Sequence, residues 1–469
     1  MDALTKYVAS FIFTNPTHAT SPPDITIRMT SDVFNVADRS FTWPTTEFLG
    51  VEQGTRPFKV VVAEFTTKFL SQSSPFTSAT NTFTLSLAVS VDLESVAGGT
   101  KSNITLSPLP GVSISSNKTS LTVVSTSSVG VGVMFCTPDG TSLQNVGVWD
   151  QHAENGPALI LHICDGNAIK RSTTYEITFA AMNQGQEQTD ASPPKLRVDG
   201  KVNIPSTVVS IPNQNLLGVE NGANPLRIIV PQITAFEISQ SEFLADRLNQ
   251  ISVKISSNID LTNDNGAYFS LCCFPGAILQ GIVALDVTVD VGPVPNLCSD
   301  KNGLGGASTG FFTPADSRVR LYICPDAPGG SVNKYTAGQA LLIGFNVTNP
   351  HSSQNGPKIK LSVDDDSTRT LADSWVLEPF DMQAPNQTIL GVVGADNPMT
   401  VVQPQFIFRH IGQSSLVSLQ RNTLELTLAA NIDVSSAQSS VINIANLDGA
   451  DLPEAVHLSR VTPVSRIVA

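Results

Sequence analysis

Apolar and polar residues alternate through Asn81-Thr82-Phe83-Thr84-Leu85-Ser86-Leu87, which puts Phe83, Leu85 and Leu87 on one side of an extended chain. A period of two predicts a strand with one face on a core and one in water. The pattern returns at Ile251, Val253 and Ile255, and again at Leu424, Leu426 and Leu428. A second predicted strand, 58–62, matches 226–230 and 399–403. Pro231 and Pro404 follow directly, so this strand ends, bends or lies at an edge. A third, 159–163, matches 319–323. Each is followed by a turn rich in Gly, Asp and Asn and then by 175–179 or 341–345, which reads as a hairpin. A last strand follows Pro23, Pro194 and Pro357. No useful stretch has helical periodicity.

These segments keep register over long distances. Leu49-Gly50, Leu217-Gly218 and Leu390-Gly391 are 168 and 173 residues apart, and Gln72, Gln240 and Gln413 repeat that spacing, as do Asp92, Asp260 and Asp433. This is an internal repeat of about 170 residues. Short alternating strands, turn-forming connections and tandem repetition predict an all-β fold of Ig-like antiparallel β-sandwiches in series. Counting from each Leu-Gly pair, residues 49–216 and 217–389 are complete β-sandwich repeats. Residues 1–48 are then a partial repeat holding only terminal strands. Residues 390–469 are a partial repeat without its last strands, which lacks the cysteine-bearing strand and the following hairpin arm.

Composition narrows the function classes. Charged residues make up only 14% of 469, so Ser, Thr, Asn and Gln must build much of the polar surface, as suits secreted, glycosylated or assembled proteins. A net charge of −13 argues against nucleic acid as a partner, because it supplies no basic footprint. No apolar run is long enough for a membrane span. The first 16 residues make a poor signal peptide, the apolar stretch being broken at Ser10 with no small-residue cleavage site after it.

Cys136 and Cys164 lie 28 apart in one repeat, Cys298 and Cys324 lie 26 apart in the next, and Cys164 aligns with Cys324. Two equivalent disulfides are expected, the alternative being two pairs of buried thiols. Cys272 and Cys273 have no counterpart, and either a vicinal bridge or a pairing outside the domain is open. Sequons at Asn103, Asn117, Asn346 and Asn386 predict N-linked glycans. Together these favour an extracellular or cell-surface protein.

The order Gln-Ser, Asn-Thr, an alternating strand, Asn-x-Asp-Leu, a Leu-x-Gly turn, then Tyr-x-x-x-Phe and Thr-Asn-Pro resembles a tandem repeat of uncharacterised secreted proteins of algae, oomycetes and other aquatic protists. It is carried here by Gln72, Asn81, Asp92, Gly111, Tyr175 and Phe179 and their equivalents. The resemblance implies a fibril- or surface-forming protein. Departures are Asn183-Gln184 in place of Asn-Pro, and a third copy without cysteines.

Catalytic chemistry is not legible. The six histidines form no His-x-x-x-His pair, and no Gly-x-Ser-x-Gly or phosphate loop occurs. His162 aligns with Tyr322 on the outward side of a strand. The recurring Asp92, Asp260 and Asp433 read as turn caps. Asp364-Asp365-Asp366 reads as a solvated turn rather than a Ca²⁺ site, and Trp149 and Trp375 as core or rim. No enzyme activity, metal or cofactor is expected. The expected function is that of a structural protomer of an extracellular glycosylated filament or cell-surface hair. Its partners are copies of itself, head to tail, with Tyr7, Ala9, Phe11 and Phe13 as the inward positions of a donated assembly strand. The alternative is an adhesin or receptor-type ectodomain that binds carbohydrate or another cell surface.

Overall fold

The structure, a computed structural model, describes residues 4–96, 98–114, 120–127, 133–139, 144–154, 156–263, 268–279, 281–326, 332–364, 377–435 and 438–448. Every ladder of paired strands is antiparallel, and no α-helix occurs among these residues. The chain is a series of antiparallel Ig-like β-sandwiches on a repeat of about 170 residues.

In the first repeat, Thr80–Val89 lies between Phe65–Gln72 and Tyr175–Asn183. Phe83, Leu85 and Leu87 all point inward, as their alternation requires. The opposing layer pairs Asn103–Ser107 with Ala158–Ile163 on one edge and Lys195–Asp199 on the other. Ser120–Ser127 joins the two layers, because its first residues pair with Val146–Asp150 and its later ones with Tyr175–Asn183. In the second repeat this role is split. Gly281–Ala284 joins one sheet and Asp286–Val289 the other. Phe269 and Leu271 from one layer then pack with Ile251, Val253 and Phe345 from the other.

Three sequence expectations need correction. Segments 159–163 and 175–179 do not form a hairpin: Ala158–Ile163 pairs with Val146–Asp150 and Asn103–Ser107, whereas Tyr175–Asn183 pairs with Thr80–Val89. The connection between them crosses from one layer to the other. It is held on the way by pairing of Ala168–Ile169 with Leu93–Glu94 and by the Lys170 N–H on the Tyr175 hydroxyl. Segments 58–62, 226–230 and 399–403 are not ladder strands either. Phe58, Leu226 and Met399 have φ of 66°, 68° and 61°, which breaks the extended run and leaves isolated bridges at Val60, at Ile228 and Ile229, and at Val401 and Val402. The last strand follows its proline directly only at Lys195–Asp199; Thr26–Thr30 and Lys360–Asp364 start three residues after Pro23 and Pro357.

Two cores result. One draws on the first repeat and takes in Leu226 from beyond it. The other draws on the second repeat and takes in Phe76 and Met399 from beyond it. Among the described residues, neither 4–48 nor 406–448 adds a side chain to either core.

Candidate functional site

The Leu-Gly landmark is one half of a local lock. Leu217 and Gly218 both have positive φ, 52° and 81°. The Leu217 carbonyl accepts the Asp260 N–H at 3.0 Å. A Cβ on Gly218 would lie 2.5 Å from Asp260 Oδ1, so only glycine lets the carboxylate approach. That carboxylate caps the loop beyond, taking the Ala337 N–H at 2.8 Å and Lys334 Nζ at 2.6 Å. In the first repeat Asp92 does the same for Arg171 N–H and Lys170 Nζ, and its hydrogen bond raises the Lys170 ammonium above the ordinary lysine range. Asp433 N–H donates to Leu390 at 2.8 Å. Asp92 and Asp260 are turn caps, as expected, whereas Asp433, among the described residues, shares only the backbone half of the lock.

The third landmark, glutamine, is the candidate site. Gln72 is buried at the end of its strand, and its Nε2 donates to the carbonyls of Gly222 and Arg227, both at 2.8 Å. Its Oε1 accepts the Leu226 N–H at 2.9 Å and Asn81 Nδ2 at 3.0 Å. Asn81 also donates to Asn183 Oδ1 at 3.0 Å and accepts the Ser73 and Ser74 N–H groups. Asn183 donates to the carbonyls of Ser74 and Phe76. Each amide donor in this triad is used, which is what lets three amides lie in a core at little cost. Braced by the two asparagines, Gln72 grips segment 222–227, near the start of the next repeat.

The second joint repeats the first. Gln240 Nε2 donates to Ala395 and Thr400, and its Oε1 accepts the Met399 N–H and Asn249 Nδ2. Asn249 donates to Asn349, which donates to the carbonyls of Glu242 and Leu244. Gln188 and Gln354 buttress the gripped segments, each Nε2 reaching the carbonyl of the residue inserted into the clasp, Leu226 or Met399.

Sequence reasoning picked out Gln72, Asn81 and Asn183 only as landmarks and missed Gln188 and Gln354. The signal was present: Asn81 is in phase with Phe83, Leu85 and Leu87, so a polar residue occupies a core-facing position.

In the third copy the clasp is half built. Asn422 Nδ2 donates to Gln413 Oε1 at 3.1 Å and Asn422 Oδ1 takes the Ser414 and Ser415 N–H groups, but both side chains are exposed. Phe406–Gln413 pairs with Leu424–Ala430 in a two-stranded sheet. Leu424 and Leu428 are 38% and 39% exposed, whereas their equivalents Phe83, Leu87, Ile251 and Ile255 are fully covered.

The predicted assembly strand lies exposed outside regular structure, with Tyr7, Ala9, Phe11 and Phe13 all open to solvent. Disulfides join Cys136 to Cys164 and Cys298 to Cys324, and Cys272 pairs with its neighbour Cys273. Of the sequons, Asn346 and Asn386 are exposed, Asn103 is half-buried, and Asn117 lies outside the described residues. His162 is half-buried on its strand rather than freely exposed; burial, and then Lys101, lower its pKa from the ordinary 6.5. Trp149 is buried with its indole N–H on Gln151. Asp365, Asp366 and Trp375 lie outside the described residues. Among the described residues no cluster of metal-ligating side chains occurs, and no helix is long and apolar enough to cross a membrane.

No protein-family model and no curated relative matches the sequence. Solved structures with a similar course include the C-terminal domain of the Streptococcus pyogenes antigen I/II-family protein AspA, at 6% identity and TM-score 0.36, covering 67% of this chain and 98% of that one. The C-terminal domain of the Streptococcus agalactiae antigen I/II polypeptide BspA gives 9% identity and TM-score 0.34, covering 67% and 98%. The collagen adhesin of Staphylococcus aureus gives 10% and 0.17, covering 68% and 90%. Likenesses at these scores carry no weight for function, and the architecture rests on the strand pairing described above.

Proposed function

We propose that this protein is a structural protomer of an extracellular filament or cell-surface hair, built by copies that join head to tail through strand complementation, and that it belongs to the surface- or fibril-forming repeat type it resembles. One observation carries the proposal. Among the described residues, strand Leu424–Ala430 pairs on one edge only and has exposed leucines where its equivalents are covered by Tyr175–Asn183 and Leu341–Thr348. Residues 7–15 of the same chain repeat the pattern of Tyr175–Asn183, with Tyr7, Phe11 and Asn15 aligned on Tyr175, Phe179 and Asn183, and they too are exposed. An apolar edge and an apolar segment of matching sequence on one molecule favour association between molecules. The contact is heterologous, so without closure into a ring it propagates into an open fibre.

The disulfides fit an oxidising compartment, and the exposed Asn346 and Asn386 would carry its glycans. The role is non-enzymatic. Electron microscopy of the protein beside a variant lacking residues 1–30 tests this. Filaments that vanish with the deletion support strand exchange. Monodisperse rods in both samples overturn it and favour an adhesin-type ectodomain.

A further inference from the structure

We propose that the joint between copies is the internal amide clasp reproduced between molecules: Gln413 and Asn422 of one copy grip residues 54–59 of the next, and Asn15 of that next copy supplies the third amide. This rests on the head-to-tail reading and specifies its chemistry.

The two internal joints define what the clasp holds. Gln72 and Gln240 each take two carbonyls and one N–H from a segment whose inserted residue, Leu226 or Met399, has positive φ and is fully buried. Residues 48–60 form the same segment without a clasp around them. Phe58 has a φ of 66° and aligns with Leu226 and Met399, yet is 40% exposed. The turns inside it match those of the gripped segments. Phe48 and Val51 exchange backbone hydrogen bonds as Leu216 and Val219 do, and Gly54 N–H donates to Val51 as Gly222 N–H donates to Val219. Thr20 and Val60 exchange backbone hydrogen bonds as Gln188 and Ile228 do, and Thr20 Oγ1 reaches the Phe58 carbonyl at 2.7 Å, where Gln188 Nε2 reaches that of Leu226. The plug is therefore preorganised, which lowers the ordering cost of docking.

The receiving side is preorganised as well. The Gln413–Asn422 bond and the two N–H groups on Asn422 Oδ1 copy those of Gln72–Asn81. Transposing the internal joints places the Gln413 Nε2 donors on the carbonyls of Gly54 and Lys59, the Phe58 N–H on Gln413 Oε1, and Asn15 Oδ1 on Asn422 Nδ2. It also covers Val417 with Val61, which are 54% and 42% exposed, as Phe76 and Ile229 cover each other. The contacts so placed are made by uncharged amides, carbonyls and hydrocarbon.

The test is a head–tail mixing experiment on the full chain by analytical ultracentrifugation. Phe58→Asp has a disabled plug and an intact clasp; Gln413→Ala has the reverse. Both positions are exposed and outside the two cores, so each variant should melt like the parent. We expect the parent to form long assemblies and each variant alone to be monomeric. An equimolar mixture should give a one-to-one dimer that does not extend. Asn15→Ala should weaken the joint at least about tenfold, since it strips hydrogen bonds from a desolvated amide. Assembly by the parent and undiminished assembly by both variants would overturn the clasp while leaving head-to-tail association standing. A monomeric parent would overturn both.

Discussion

Gln240 Oε1 accepts the backbone N–H of Met399 at 2.8 Å, across 159 residues of chain. The bond joins the second repeat to the segment that opens the third, and Gln72 makes the same bond to Leu226 one repeat earlier. Removing the glutamine leaves the Met399 N–H and the carbonyls of Ala395 and Thr400 in a site water does not reach. Each buried group so orphaned costs about 1–3 kcal/mol. Gln240→Ala should lower the stability of the second repeat by about 2–4 kcal/mol in urea unfolding. Gln240→Glu should fare little better, because a carboxylate cannot donate to two carbonyls. A loss within about 0.5 kcal/mol for the alanine variant, the size of an ordinary surface change, would mean the clasp contributes nothing.

The Leu-Gly landmark makes a separate prediction. Gly218 and Gly338 both have positive φ, 81° and 76°, but a Cβ on Gly338 meets nothing within 4 Å, whereas one on Gly218 comes within 2.6 Å of Ala337 and of the Asp260 backbone. Gly338→Ala should cost only the left-handed backbone penalty, about 1–2 kcal/mol. Gly218→Ala should cost that and about 1–3 kcal/mol more, because the Asp260 cap must move. Paired melting curves of the two variants separate the contributions, and equal losses would show that the close approach does not matter.

These two positions show what the sequence made legible. Alternation at Phe83, Leu85 and Leu87 placed the strand and its buried face, because burial on one side of a pleat imposes a period of two. Repetition placed the landmarks, because the same lock and clasp recur at each joint. Partner choice was not legible. Leu159 and Tyr175 are close in sequence, yet their strands take different neighbours, and nothing in a short apolar run records which layer it joins. The 226–230 segment looked like a strand from its branched residues, but Leu226 turns the backbone to positive φ so that its N–H can reach Gln72. A tertiary contact overrode a local preference there.

The pH response should carry a contribution from His162. Its pKa is held below the ordinary value of 6.5 by burial and then by Lys101, so the folded protein resists a proton that the unfolded chain accepts. Stability is then full above about pH 6.5 and is lost as pH falls from there through the lower folded value. His162→Gln should flatten the difference between urea unfolding at pH 7.5 and at pH 5.5. A variant whose acid sensitivity equals that of the parent would assign the effect to other groups.

The disulfides should contribute unequally, and the reason lies in loop length. Cys136–Cys164 and Cys298–Cys324 close loops of 28 and 26 residues, which restricts the unfolded chain by about 3–4 kcal/mol each in the loop-entropy description. Cys272 and Cys273 are adjacent, so their bond removes almost no freedom from the unfolded ensemble. The double change Cys136→Ser with Cys164→Ser should therefore lower the melting temperature of the first repeat by many degrees. Cys272→Ser with Cys273→Ser should leave the second repeat within about 1 kcal/mol of the parent. Calorimetry with and without a reducing agent supplies the check, since reductant should reproduce the sum of the two long-loop losses. If the serine pair at 272 and 273 proves as damaging as the pair at 136 and 164, the adjacent bridge acts on the folded state, by fixing the backbone beside Phe274, whose ring packs edge-on against Phe345 in the core.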